Sequence, residues 1–101
     1  MEQCRLIYKS TSIEEVMSNE DLFSLVEKAA ENNKREGIAG LLLLAGDRFL
    51  QVLEGPVTAV NALFQRICHD DRHHTIELIS YEPAAESYFE DWNMRLVDLY
   101  D

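Results

Sequence analysis

A chain of 101 residues with a net charge of −10 at neutral pH and a pI near 4.6 has room for one hydrophobic core and not for two, so residues 1–101 are read as a single domain. The acidity opposes a phosphate backbone, and the nine Lys and Arg form no stripe interleaved with aromatics, which excludes nucleic acid as the expected partner. Cys4 and Cys68 lie far apart and outside any CxxC spacing, so neither a zinc site nor a disulfide framework is expected. The start, MEQCRLIY, has no charged-then-apolar signal pattern, and the longest apolar run, 38–45, is too short to cross a bilayer. The expectation is a cytoplasmic protein with reduced thiols and no membrane contact.

Cys4, Leu6 and Tyr8 alternate with Arg5, Ile7 and Lys9, which predicts a first strand with two different faces. After a polar stretch, Ser18 and Asp21 resemble a capping box. Leu22, Leu25, Val26, Ala29 and Asn33 then recur at helical spacing until Gly37 offers a C-cap. That spacing puts Asn33 on the inward face. The runs 38–44 and 48–53, joined by Ala45, Gly46 and Asp47, predict a hairpin. Gly55 and Pro56 are expected to open a second helix, with Pro56 in its first turn. Its apolar stripe is Val60, Leu63, Phe64 and Ile67, and Ala59, Ala62, Arg66 and Asp70 form an adjoining row. Residues 75–81 predict a fourth strand and 94–99 a fifth, after a loop holding Pro83 and Trp92.

The order βαββαββ predicts an α+β, ferredoxin-like domain: a five-stranded mixed sheet with two helices on one face. Leu50 and Val52 point opposite to Phe49, Gln51 and Leu53, and both sets are apolar, although helices can cover only one face. The other face is expected to need a second subunit, a protein partner or further chain, so self-association is predicted.

Gln51 is the anomaly of the sequence, a carboxamide in FLQVLEG at 49–55, amid residues that should be buried. By alternation Tyr8 and Gln51 share the helix-covered face, while Asn33, Arg66 and Asp70 can line the seam between helices. Ala29, Ala30, Ala59 and Ala62 would leave room there. The groups describe a flat slot with aliphatic walls and a polar fringe, suited to a planar heteroaromatic with an imide-like edge. An ordinary reading stands beside it: Asn33 as a helix-end residue, Arg66 and Asp70 as a surface pair, Tyr8 as a core aromatic. Only Gln51 resists that reading.

LIYKS at 6–10, NNKREGIAGLLL at 32–43, FLQVLEG at 49–55, RICHDDRH at 66–73 and FEDWNM at 89–94 together resemble the BLUF family of blue-light sensors, over most of the chain. The resemblance implies a flavin between the helices: FAD, with FMN or riboflavin also compatible. It implies that Tyr8 is the photoactive phenol and Gln51 the amide relaying between it and the flavin. Asn32 and Asn33 match amides at the ring's carbonyl edge, Arg66 and Asp70 contacts at its O2/N3 side, and Phe49 an aromatic packed on the ring. Arg72 and His73 match a further pair near the cofactor, and Trp92 and Met94 a mobile pair near the glutamine. It further implies a sensor rather than an enzyme, acting on a downstream effector protein or a segment outside this chain. Ala39, Leu44 and Ser87 depart from the family pattern, and Ser87 puts in doubt an output role for the Arg often found there.

Three rivals are carried. His69, His73 and His74 with Asp70 and Asp71 could suggest a metal hydrolase, though no HExxH spacing is present. A cofactor-free regulatory or oligomerisation module of the same fold is the second. A flavin redox enzyme is the third, but no GxGxxG turn or substrate base accompanies it.

Overall fold

The computed structural model describes residues 2–12, 19–70, 73–89 and 92–99. The elements are β1 (Gln3–Ser12), α1 (Asn19–Glu36), β2 (Ala39–Ala45), β3 (Arg48–Pro56), α2 (Val57–Cys68), β4 (His73–Pro83) and β5 (Arg95–Asp98). The strands form one sheet in the order β4-β1-β3-β2-β5. β5 runs parallel to β2 and every other pairing is antiparallel, so the sheet is mixed and the expected ferredoxin-like architecture is what the chain adopts.

Alternation along β1 and β3 decides what is buried. Cys4, Leu6, Tyr8 and Leu53 form a core with Ile38 and with Val60 of α2, against which Leu63, Phe64 and Ile67 of α2 pack. Burying side chains such as Leu6, Leu53 and Val60 contributes roughly 1.5–3 kcal/mol each. Gly37 ends α1 at φ 72°, a conformation that a Cβ would strain. Its N–H donates to Lys34 O at 3.4 Å and that of Ile38 to Asn33 O at 2.8 Å, the two bonds of a Schellman cap. Ser18, expected to cap the other end, lies outside the described residues.

Three boundaries differ from expectation. Pro56 is not in the first turn of α2: it closes β3, paired with Gln3, and serves as N-cap with ψ 136°. The first helical donor, Val57 N–H, is satisfied by Glu2 O at 3.2 Å. β4 runs longer than 75–81 at both ends, because pairing along β1 supplies partners from Cys4 to Ser12 whatever the local pattern. β5 is shorter than 94–99, and Met94 precedes it.

The outer face of the sheet is partly covered by the chain itself. Arg5 and Glu54, only 8% and 3% exposed, pair there at 2.7 Å. Glu54 also accepts from the Ser87 hydroxyl and from the N–H groups of Tyr88 and Phe89. The segment after β4 is thereby fastened across one end of that face. Ile7, Leu41, Leu43, Leu50 and Val97 remain half-buried. Among the described residues no helix is long and apolar enough to cross a membrane.

Candidate functional site

Tyr8 and Gln51 are direct cross-strand partners in the β1–β3 ladder, so both project to the helix side at the middle of the sheet. They are 4% and 8% exposed. The Tyr8 hydroxyl donates to Gln51 Oε1, and Gln51 Nε2 is directed at Met94 Sδ, 3.7 Å away. A thioether is a weak acceptor, so the amide's donor end is only lightly engaged. Burial pushes the Tyr8 phenol well above its usual pKa, with Cys68 and Asp70 adding to the effect. Tyr8 is therefore neutral throughout the physiological range.

These two side chains stand at the floor of a cavity of about 380 Å³ between the sheet and both helices. Its aliphatic walls are Leu25, Val26 and Ala29 of α1, Leu42 of β2, and Leu63 and Ile67 of α2. Asn32, Asn33, Phe49, Arg66, Asp70, His73 and Met94 also border it. Asn33, 2% exposed, donates through Nδ2 to Asn93 O at 2.7 Å, which ties α1 to the segment before β5. Asn32 is exposed and accepts from Arg35 at Oδ1. Arg66 is exposed in the last turn of α2, and Asp70 lies past that helix end. His73 is held on both ring nitrogens, by Ser10 Oγ at 2.8 Å and Ile67 O at 2.7 Å.

Met94 is turned inward and Trp92 is not. Trp92 borders a separate hollow outside α1, tilted against Phe89 at 5.6 Å with the Arg95 guanidinium 4.9 Å over its ring. Gly40 permits the close approach here: a Cβ on it would meet Val52 O at 2.7 Å and Met94 Cε at 3.5 Å. Arg72 lies outside the described residues. Of the four alanines expected to open the slot, only Ala29 borders it. Ala30 faces the outer hollow, Ala59 packs on the core and Ala62 is exposed. The sequence reading missed Ser10, although the Cys4, Leu6, Tyr8 alternation continues to it. It missed Asn93 too, for which no periodic signal exists. Among the described residues no three His, Cys, Asp or Glu side chains are grouped to hold a metal ion.

A two-layer α+β domain with a polar-bottomed cavity between sheet and helices is a module for holding a small, flat ligand. The family model for BLUF, sensors of blue-light using FAD, matches residues 4–95. The blue light- and temperature-regulated antirepressor BluF of Escherichia coli (strain K12) is 36% identical over 98 residues, covering 93% of this chain and 23% of BluF. The dark-state structure of BlrB, a BLUF protein, superposes with a TM-score of 0.90 at 35% identity, covering 96% of this chain and 73% of that one. A bacterial light-regulated adenylyl cyclase gives 0.92 at 32% identity, covering 96% of this chain and 28% of that one.

The chain belongs to the BLUF family: it is a blue-light photoreceptor domain whose cofactor is a flavin, FAD in the family's description. It spans less than a quarter of BluF. The cavity fits the flavin's ring in chemistry. Its volume lies in the range of small-molecule sites, roughly 300–1,000 Å³. Its walls are aliphatic, and among the described residues a buried amide meets only a thioether at its donor end.

Proposed function

We propose that this cavity holds the flavin ring and that the Tyr8–Gln51 pair turns absorbed blue light into a changed hydrogen-bond pattern. The supporting observation is a buried phenol donating to a carboxamide whose other end borders the cavity. Asn32 and Asn33 would meet the ring's carbonyl edge, Arg66 and Asp70 its O2/N3 side, and Phe49 would pack on it. Arg72 is assigned to the same rim by the family pattern alone, and His73, with both nitrogens engaged, packs beside it.

Excited by blue light, a bound flavin is an oxidant strong enough to withdraw an electron from a phenol. Tyr8 suits that role because it stays neutral and its proton already lies on a hydrogen bond to Gln51 Oε1. A phenol that has lost an electron is a strong acid, so the proton leaves along that bond without displacement of heavy atoms. Gln51 accepts at Oε1 and donates at Nε2, which lets one rigid group pass the change from one side to the other. When Tyr8 recovers its electron and proton, Gln51 remains turned over or tautomerised and offers the opposite pattern. Met94, beside Nε2, meets that change first. Trp92 is linked to it through the backbone, where Gly40 N–H donates to Trp92 O at 2.7 Å and Asn33 holds Asn93.

The signal's receiver is proposed to be an effector protein or a segment outside this chain, in keeping with relatives named for cyclase or antirepressor action. The half-buried apolar residues of the outer face, Ile7, Leu41, Leu43 and Leu50, favour self-association as a homo-oligomer. Free Cys4 and Cys68 support a reducing, cytoplasmic setting. The test is an absorption spectrum of the purified protein before and after blue light. A yellow protein whose band moves slightly to the red and recovers in darkness is expected; a preparation that refuses flavin on reconstitution overturns the reading.

A further inference from the structure

Outside α1, a hollow of about 540 Å³ runs between that helix and β5. Its surface is apolar, with Phe23, Val26 and Ala30 from α1, Met94 and Leu96 from the strand side, and Trp92. Phe23 is 66% exposed, a placement that forgoes the stabilisation of burial unless something covers it. The rim is acidic. Glu27 borders the hollow, and Glu20 and Glu31, both exposed, fall on the same side of the helix as Glu27. Two cations adjoin: Lys34 in the last turn of α1, and Arg95, which is engaged over Trp92.

An apolar trough with an acidic rim is complementary to an amphipathic helix whose apolar stripe is flanked by Lys or Arg. A second copy of this chain, at a net charge of −10, brings charge of the same sign to this acidic edge, and the surface proposed above for it is the outer face of the sheet. Met94 and Val26 border both this hollow and the flavin cavity. One side chain therefore touches Gln51 on its inner side and the hollow on its outer side.

We propose that the α1–β5 groove is the docking site for a basic amphipathic helix of a partner protein, and that Met94 makes its shape depend on the state of Gln51. The light dependence rests on the photochemical reading above; docking in the dark does not. The test titrates a synthetic helix, Leu on one face and Lys on the other and labelled with a dye excited by red light, with the flavin-loaded protein in darkness and under blue light. The red shift is recorded on the same samples.

Saturable binding is expected, weakened about tenfold by Phe23→Asp with that variant's red shift intact. Glu20→Gln with Glu27→Gln should weaken it clearly more than Glu77→Gln with Glu86→Gln, which removes the same charge from β4 and the segment after it. Illumination should change the wild-type affinity by about threefold or more. Equal losses from the two charge pairs, or no effect of Phe23→Asp, reduce the binding to diffuse electrostatics and overturn the proposal. A dimer in sedimentation that Phe23→Asp abolishes gives the groove to a second copy and also overturns it. A normal red shift with unchanged affinity refutes the Met94 coupling alone. A missing red shift refutes the photochemical reading and with it the coupling, while dark docking is still decided by Phe23→Asp.

Discussion

The same two strands carry a buried polar pair on each face of the sheet, and the pairs differ in how fully they are satisfied. Tyr8 with Gln51 and Arg5 with Glu54 are both direct partners across β1 and β3. Glu54 accepts from Arg5 Nε, Ser87 Oγ and the N–H groups of Tyr88 and Phe89, at 2.7–3.1 Å. Arg5 uses its other nitrogens on Glu82 and the Glu86 carbonyl, and its plane lies 3.9 Å from the Tyr88 ring centroid. That pair is closed, with no capacity left for a ligand. Gln51 makes one firm bond, points its donor at a thioether and borders a cavity. A buried polar group saturated by its own chain is scaffold, whereas one with spare hydrogen-bonding capacity over a cavity is a site.

The largest effects should separate the two faces completely. Tyr8→Phe and Gln51→Leu are each expected to abolish the light-induced red shift and to lower stability by about 1–3 kcal/mol in urea unfolding without unfolding the domain, since each leaves a buried polar partner without its hydrogen bond. A normal shift in either variant breaks the cavity side of the comparison. Glu54→Gln should do the reverse. It leaves the buried Arg5 guanidinium with the half-exposed Glu82, at 3.3 Å, as its remaining counter-ion, at a cost of up to about 3 kcal/mol, and flavin-bound molecules should keep their red shift. A urea midpoint unchanged from wild type would show that the outer pair does not fasten the segment after β4.

The contrast also marks what the sequence could reveal. Two-residue alternation in β1 and β3 was enough to place Tyr8 and Gln51 together, because a strand's faces follow from counting. The hairpin was legible from Gly46 and Asp47 between two apolar runs. Helix rows were less informative: they identified the inward face of α1 at Asn33 but could not fix the rotation of α2, so Ala62 was assigned inward and is exposed. The fastening at Glu54 was hidden because two of its donors are backbone N–H groups of Tyr88 and Phe89, which leave no trace in residue identity. Arg5 and Glu54 themselves carried a usable signal, as opposite charges at facing positions of strands already predicted to be buried. The positions of Trp92 and Met94 depended on bonds that the backbone carbonyls of Trp92 and Asn93 accept from Gly40 N–H and Asn33 Nδ2, and those acceptors are equally silent in sequence.

Acid and alkali should act on opposite faces. Glu54 is held below its usual carboxylate range: burial works against this, but the Tyr88 N–H, the Ser87 hydroxyl, Arg5 and the Phe89 N–H outweigh it. Its contribution to stability is complete above about pH 4 and is lost as pH falls through the lowered folded value. Tyr8 is raised, so its contribution is complete below about pH 10 and is lost as pH climbs toward the folded value. Thermal unfolding followed across this span should show a plateau with a limb at each end. Glu54→Gln should flatten the acid limb and Tyr8→Phe the alkaline one; a limb that survives its variant belongs to other groups.

The smallest effect sharpens the rule where it is most easily mistaken, at a polar pair that borders the cavity yet is already satisfied. Ile67 O can only accept, so His73 Nε2 carries the proton facing it, and Nδ1 of the neutral ring accepts from the Ser10 hydroxyl. Ser10 is 3% exposed. By the argument from closure this pair belongs with Arg5 and Glu54, despite its position beside Tyr8 and the family pattern that assigns His73 to the cofactor. Ser10→Ala is therefore expected to lower stability by about 1 kcal/mol through one lost hydrogen bond, with flavin affinity and the size of the red shift unchanged in titration and difference spectra. A tenfold loss of flavin affinity would place His73 among the ligand's partners and show that saturation by the chain does not by itself exclude a residue from the site.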